Sequence, residues 1–121
     1  MTGDRTEFTL HFADRGTPIL TVSGELDLAT AVDLENRVRS AIEHTEGDLM
    51  LDMSKVTYID SSGLSVVLEA RHLLERTGRT LIINDPSASV TAILAICGLA
   101  DRIATAVSEA DAAGAESVTN S

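Results

Sequence analysis

The 121 residues suit a single domain and can bury a real core. With 44% hydrophobic residues the chain is not disordered, and with 2% aromatic residues it offers no stacking platform for bases. Nineteen acids against nine Lys and Arg give a net charge of −10, which argues against nucleic acid and against anionic membrane surfaces as partners. The lone Cys97 cannot form an internal disulfide, MTGDRTEFTL shows no signal-peptide pattern, and the apolar runs are too short to span a bilayer, so a reduced, cytoplasmic protein is expected.

EFTLHFA (7–13) alternates, with Phe8, Leu10 and Phe12 on one side, and reads as a half-buried strand. DRGTP (14–18) is a turn and ILTVSG (19–24) a second strand, which makes an antiparallel hairpin. After ELDLA a helix follows, with Thr30 as N-cap and Asp33 as its capping-box partner. Leu34, Val38, Ala41 and Ile42 form its apolar stripe, and Glu35, Arg37, Arg39 and Glu43 face water. DLMLDMS (48–54) is the next strand, and DSSG (60–63) caps a second helix. Its apolar face is Val66, Val67, Ala70, Leu73 and Leu74, and Gly78 follows in the place of a left-handed C-terminal cap.

TLIIN (80–84) is another strand. In DPSASVTAILAICG, Asp85 is the expected cap and Pro86 the first helical residue, and Gly98 is the stop. Its apolar stripe is Val90, Ile93, Leu94 and Cys97, which places Cys97 in the core. DRIATAVS (101–108) holds a short strand. The expected organisation is a flexible N-terminus (1–6), one domain (7–108), and a short terminal helix or tail (109–121). The order predicts an α/β fold: a mixed, mostly parallel sheet of four to five strands, an N-terminal antiparallel hairpin, and three to four helices. LMLDM and LIIN are expected to be strands buried on both faces.

In such sheets the strand-to-helix turns gather at one end, where functional sites lie. Asp27 and the Asp60-Ser61-Ser62-Gly63 run fall on two of these turns, so Asp27 and Ser62 are expected to be neighbours. The plainest reading of DSSG is a cap, with Asp60 or Ser61 accepting from the first-turn N–H groups. A hydrolase nucleophile is excluded. No glycine precedes the serine in a G-x-S-x-G pattern, and His72 lies ten residues along the same helix, about 15 Å away. No histidine or cysteine joins the acids at metal-ligand spacing, no phosphate-binding glycine loop is present, and the only lysine is Lys55, which disfavours a phospho-aspartate receiver. No metal and no cofactor is therefore expected. Ser65, Glu69, His72 and Arg76 form the outer face of the second helix.

VSGELDLATAVDL (22–34) and VTYIDSSGLSVVLEA (56–70), followed by GLADRI (98–103), resemble the STAS-domain anti-sigma factor antagonists of bacteria over roughly residues 7–108. The resemblance implies that the chain is not an enzyme but the substrate of two. Ser62 would be phosphorylated by a partner anti-sigma factor that is itself a serine kinase and binds the ATP. A metal-dependent phosphatase would reverse the modification. The unphosphorylated form would bind the anti-sigma factor and release the sigma factor. It also implies a partner-binding surface of Asp27, Asp60, Ser61, Ser62 and Gly63. Ser65, where relatives often carry glycine, and Glu69 lie close enough to join it. The alternatives are a STAS subunit of a signalling scaffold, as in a stressosome, or of a transporter complex.

Overall fold

The computed structural model describes residues 6–107; the expectations for the terminal segments 1–6 and 109–121 lie outside these residues, Thr6 aside. Five strands and three helices alternate: β1 (Glu7–Phe12), β2 (Pro18–Leu26), α1 (Leu28–His44), β3 (Leu49–Ile59), α2 (Ser61–Glu75), β4 (Leu81–Asn84), α3 (Ala88–Ile96) and β5 (Ala104–Ala106). The sheet order is β1-β2-β3-β4-β5, with β1 antiparallel to β2 and every other pair parallel. The expected fold class therefore stands.

The period-two pattern of β2 sends Leu20, Val22 and Leu26 into the core, where they meet Leu49, Leu51 and Met53 of β3. Leu34 and Val38 of α1, and Val67 and Leu74 of α2, close over them at helical spacing. Full burial of one such side chain contributes about 2 kcal/mol. The opposite face of the sheet is only half-buried at Met50, Asp52 and Ile82. This corrects the expectation of strands covered on both sides: LMLDM buries one face, and on the second face of LIIN Ile82 is only half-buried while Asn84 is buried. The β2–β3 register slips between Thr21 and Ser23 and again between Gly24 and Glu25. Gly24 sits there at φ +97, a conformation that favours glycine.

Four further expectations are corrected. The strand expected at 48–54 runs on to Ile59, because β2 continues to pair with it as far as Leu26↔Ile59. The cap of α1 is Asp27, not Thr30. Thr30 is the third helical residue and Asp33 is exposed, because the Asp27 carboxylate takes the Thr30 N–H while the Thr30 hydroxyl takes the Asp27 N–H. The cap of α3 is Ser87, not Asp85, and Pro86 precedes the helix. Asp85 adopts φ +52 and donates its N–H to Ala106, which delays the helix. Cys97 is exposed, not core: it is the C-cap of α3, already turned out of helical phase at ψ 3.

Two ends of the molecule are tied differently. β4 pairs with β3 only through Leu81–Asn84, and beyond this the free carbonyls of β3 are taken by α3: Ser87 N–H donates to Met53 (3.1 Å) and the Ser89 hydroxyl to Thr57 (2.9 Å). At the far end of α1, the Arg79 guanidinium donates to the Ile42 carbonyl, the Gly47 carbonyl and the Thr45 hydroxyl, which fixes the loop into β3. In β1, Phe8 packs on the core and carries Arg37 over its ring at 5.6 Å, but Leu10 and Phe12 are exposed.

Candidate functional site

Leu26 and Ile59 end their strands in register, and each is followed at once by an aspartate that caps a helix. Asp60 Oδ1 accepts from the Ser62 N–H at 2.8 Å and the Gly63 N–H at 3.3 Å. Asp27 Oδ1 accepts from the Thr30 N–H at 3.1 Å, and the Thr30 hydroxyl also donates to the Glu25 carbonyl at 2.8 Å. Each cap is worth about 1 kcal/mol, and each satisfies donors at the positive end of a helix dipole.

The two turns are bonded to each other. The Asp60 N–H donates to the Leu26 carbonyl at 3.1 Å. A Cβ built on Gly63 would stand 2.8 Å from both Leu26 Cβ and Leu26 O, and 3.1 Å from Ile59 Cγ1. Glycine is thus what lets the first turn of α2 lie against the end of β2, beside Asp27. The expected proximity of the Asp27 turn and the Ser62 turn follows from this contact.

The expected residues do not all present the same thing. Ser61 is exposed and Ser62 half-buried at the second position of α2. Among the described residues the Ser62 hydroxyl has no hydrogen-bond partner, while its N–H is held by Asp60. Asp27 and Asp60 are half-buried, with part of each carboxylate committed to capping. Gly63 is buried and turned inward, so it shapes the edge without presenting a surface. Ser65 is exposed, but its hydroxyl donates back to the Ser61 carbonyl at 2.8 Å. Glu69 lies on the wall of the groove between α1 and α2 and accepts from Arg39 at 3.3 Å; Arg39 also bonds Glu35 at 3.1 Å. His72 is exposed further along α2, and His44 ends α1 at its far end, with Nδ1 beside the Ser40 carbonyl.

Two side chains at this edge were missed in the sequence. Leu28 is 78% exposed and Val32 61% exposed, one turn apart at the start of α1. The available signal was that both fall off the Leu34–Val38–Ala41 stripe, so a helix starting at Leu28 had to turn them outward.

Residues 13–112 match the family model for the STAS domain, and 86 residues are 30% identical to an anti-sigma F factor antagonist of Paenibacillus polymyxa, covering 70% of this chain and 74% of that protein. The chain belongs to the STAS-domain family of anti-sigma factor antagonists. The STAS fold also superposes on an anti-sigma factor antagonist of Mycobacterium paratuberculosis with a TM-score of 0.79 at 22% identity, over 94% of this chain and 96% of that one. SpoIIAA, another antagonist of this family, superposes in its unphosphorylated form with a TM-score of 0.70 at 24% identity, over 95% of this chain and 98% of that one. In its phosphorylated form the TM-score is 0.66 at 23% identity, over 89% and 97%. At these identities the structural likeness carries the fold. Among the described residues of this STAS domain, no helix is long and apolar enough to cross a membrane.

Proposed function

We propose that this chain is a phosphorylation-switched antagonist of an anti-sigma factor, acting in the cytoplasm. Unphosphorylated, it binds an anti-sigma factor that is also a serine kinase, and the sigma factor is released. The kinase holds the ATP. The Ser62 oxygen forms the new bond to the γ-phosphorus, the bond to the β-phosphate oxygen breaks to leave ADP, and the hydroxyl proton passes to a base on the kinase. A metal-dependent phosphatase hydrolyses the ester and restores the binding form. The chain itself catalyses neither step.

The observation that carries this reading is the placement of Ser62: a hydroxyl unpaired among the described residues, in the first turn of α2, at the end of the sheet where Asp27 and Asp60 cap two helices. Phosphorylation adds about −1.5 to −2 charges. The N-terminus of α2 accommodates that charge through the positive end of its dipole, so the fold persists. SpoIIAA superposing on this chain in both its phosphorylation states supports that persistence. A partner packed against the edge loses contact, because a bulky dianion beside two carboxylates must be desolvated within the interface.

The test compares wild type, Ser62→Ala and Ser62→Asp. On incubation with anti-sigma factor kinases and ATP, the phosphate is expected on Ser62 by mass spectrometry. Ser62→Ala is expected to bind without accepting phosphate, and Ser62→Asp to bind about a hundredfold more weakly, corresponding to about 3 kcal/mol. Equal binding by the two variants would overturn the reading, as would phosphate found only on Ser61.

A further inference from the structure

We propose that Leu28 and Val32 are the apolar anchors through which the partner recognises this edge, seated in an apolar pocket of the anti-sigma factor bordered by basic side chains. The inference rests on the partner-binding reading above and adds the chemistry of the contact. Isolated exposed aliphatic side chains are ordinary on protein surfaces. These two are not isolated. They lie one turn apart on one face of α1, 78% and 61% exposed, and no other large hydrophobic side chain of α1 or α2 is comparably exposed. Apart from the small Ala29, the other exposed positions of α1 are polar, as at Asp33, Asn36, Arg37, Ser40 and Glu43, and those of α2 are Ser61, Ser65, Glu69, His72 and Glu75.

Their direction ties them to Ser62. At helical spacing Leu28 and Val32 continue into Glu35 and Arg39, and those two line the groove against Val66 and Glu69 of α2. Ser62 heads the corresponding stripe on α2, running through Val66 to Glu69. The aliphatic pair and the hydroxyl therefore stand at the same end of one groove, on its two walls. A single body seated there touches both.

Charge selects the occupant. Asp27 and Asp60 cap the two helices at this edge, and Asp33 is exposed next to Val32. A second copy of this chain, at a net charge of −10, would bring the same acids face to face. A partner with an apolar pocket and a basic border satisfies both features. Two side chains fall far short of the roughly 800 Å² per partner of a stable interface, so they act as anchors within the larger Ser62 surface.

The test measures binding of the full chain to a panel of purified anti-sigma factors by titration calorimetry, using any that bind wild type. Leu28→Ala and Val32→Ala are each expected to weaken binding about tenfold, and the double variant about a hundredfold. Leu28→Met with Val32→Ile is expected to restore binding to within about threefold. Urea midpoints of all variants should match wild type, because both side chains are already exposed. Leu10→Ala with Phe12→Ala, a second exposed apolar pair (43% and 58%) on the edge strand, is expected to leave binding unchanged. If Ser62→Ala binds and Ser62→Asp does not, yet the Leu28–Val32 double variant binds like wild type, this inference alone is overturned. If wild type binds no member of the panel, the functional reading falls and takes this one with it.

Discussion

The three strand-to-helix connections of this domain are built in two ways. After β2 and after β3 the strand passes straight into a helix through one aspartate, and the two turns share a hydrogen bond and a van der Waals contact. After β4 the chain needs Asp85, Pro86 and Ser87 before α3 begins, with Asp85 at φ +52 and the buried Asn84 Oδ1 without a hydrogen-bond partner among the described residues. The difference traces to the sheet. β2 and β3 end in register, so their helices start side by side, whereas β4 stops at Asn84 and leaves the rest of β3 to be covered by α3 itself. A functional edge built from the first kind of turn has fixed geometry; the third turn serves packing.

That contrast can be broken most severely at Gly63. Gly63→Ala is expected to destabilise by about 2–3 kcal/mol in urea unfolding, since its Cβ meets backbone and a buried side chain. At Gly98, at the far end of α3, an added Cβ meets nothing within 4 Å and only the positive φ opposes it, so Gly98→Ala is expected to cost about 1 kcal/mol. Asp60→Ala should lose about 1–2 kcal/mol and Asp60→Asn much less, because asparagine also caps. Ser87→Ala, removing the cap of α3, should cost about 1 kcal/mol. The coupling sharpens the comparison. Asp60→Ala and Ser87→Ala should add to within about 0.5 kcal/mol, while Asp27→Ala and Asp60→Ala should depart from additivity by more than that, as expected of turns in contact. The smallest effect is at Glu69. Its bond to Arg39 joins two largely exposed side chains, so Glu69→Ala should shift stability by less than about 0.5 kcal/mol, and less still in high salt.

The element order, the hairpin and the sheet class were legible because the hydrophobic period switches cleanly between two and 3.6. So was the Asp60 cap, since aspartate is followed directly by small polar residues and then by apolar helical spacing. The start of α1 was misread because Asp27 and Thr30 are both good caps; what decides is the reciprocal bond between them, a three-dimensional fact. The extension of β3 through Lys55 was invisible because Lys55, Thr57 and Tyr58 are exposed, and only pairing with β2 keeps them extended. Cys97 fits the α3 stripe by count, but the helix ends one residue before it. Leu28 escaped notice for the reason that hid the capping role of Asp27: with the helix started three residues late, Leu28 fell outside it.

The bond from Asp60 to Leu26, with no space left at Gly63, leaves the edge without a hinge. In the proposed switch nothing inside the molecule has to relax after modification. On that proposal the memory it holds would be one bit written in a covalent ester, and its duration would be set by how soon the phosphatase arrives.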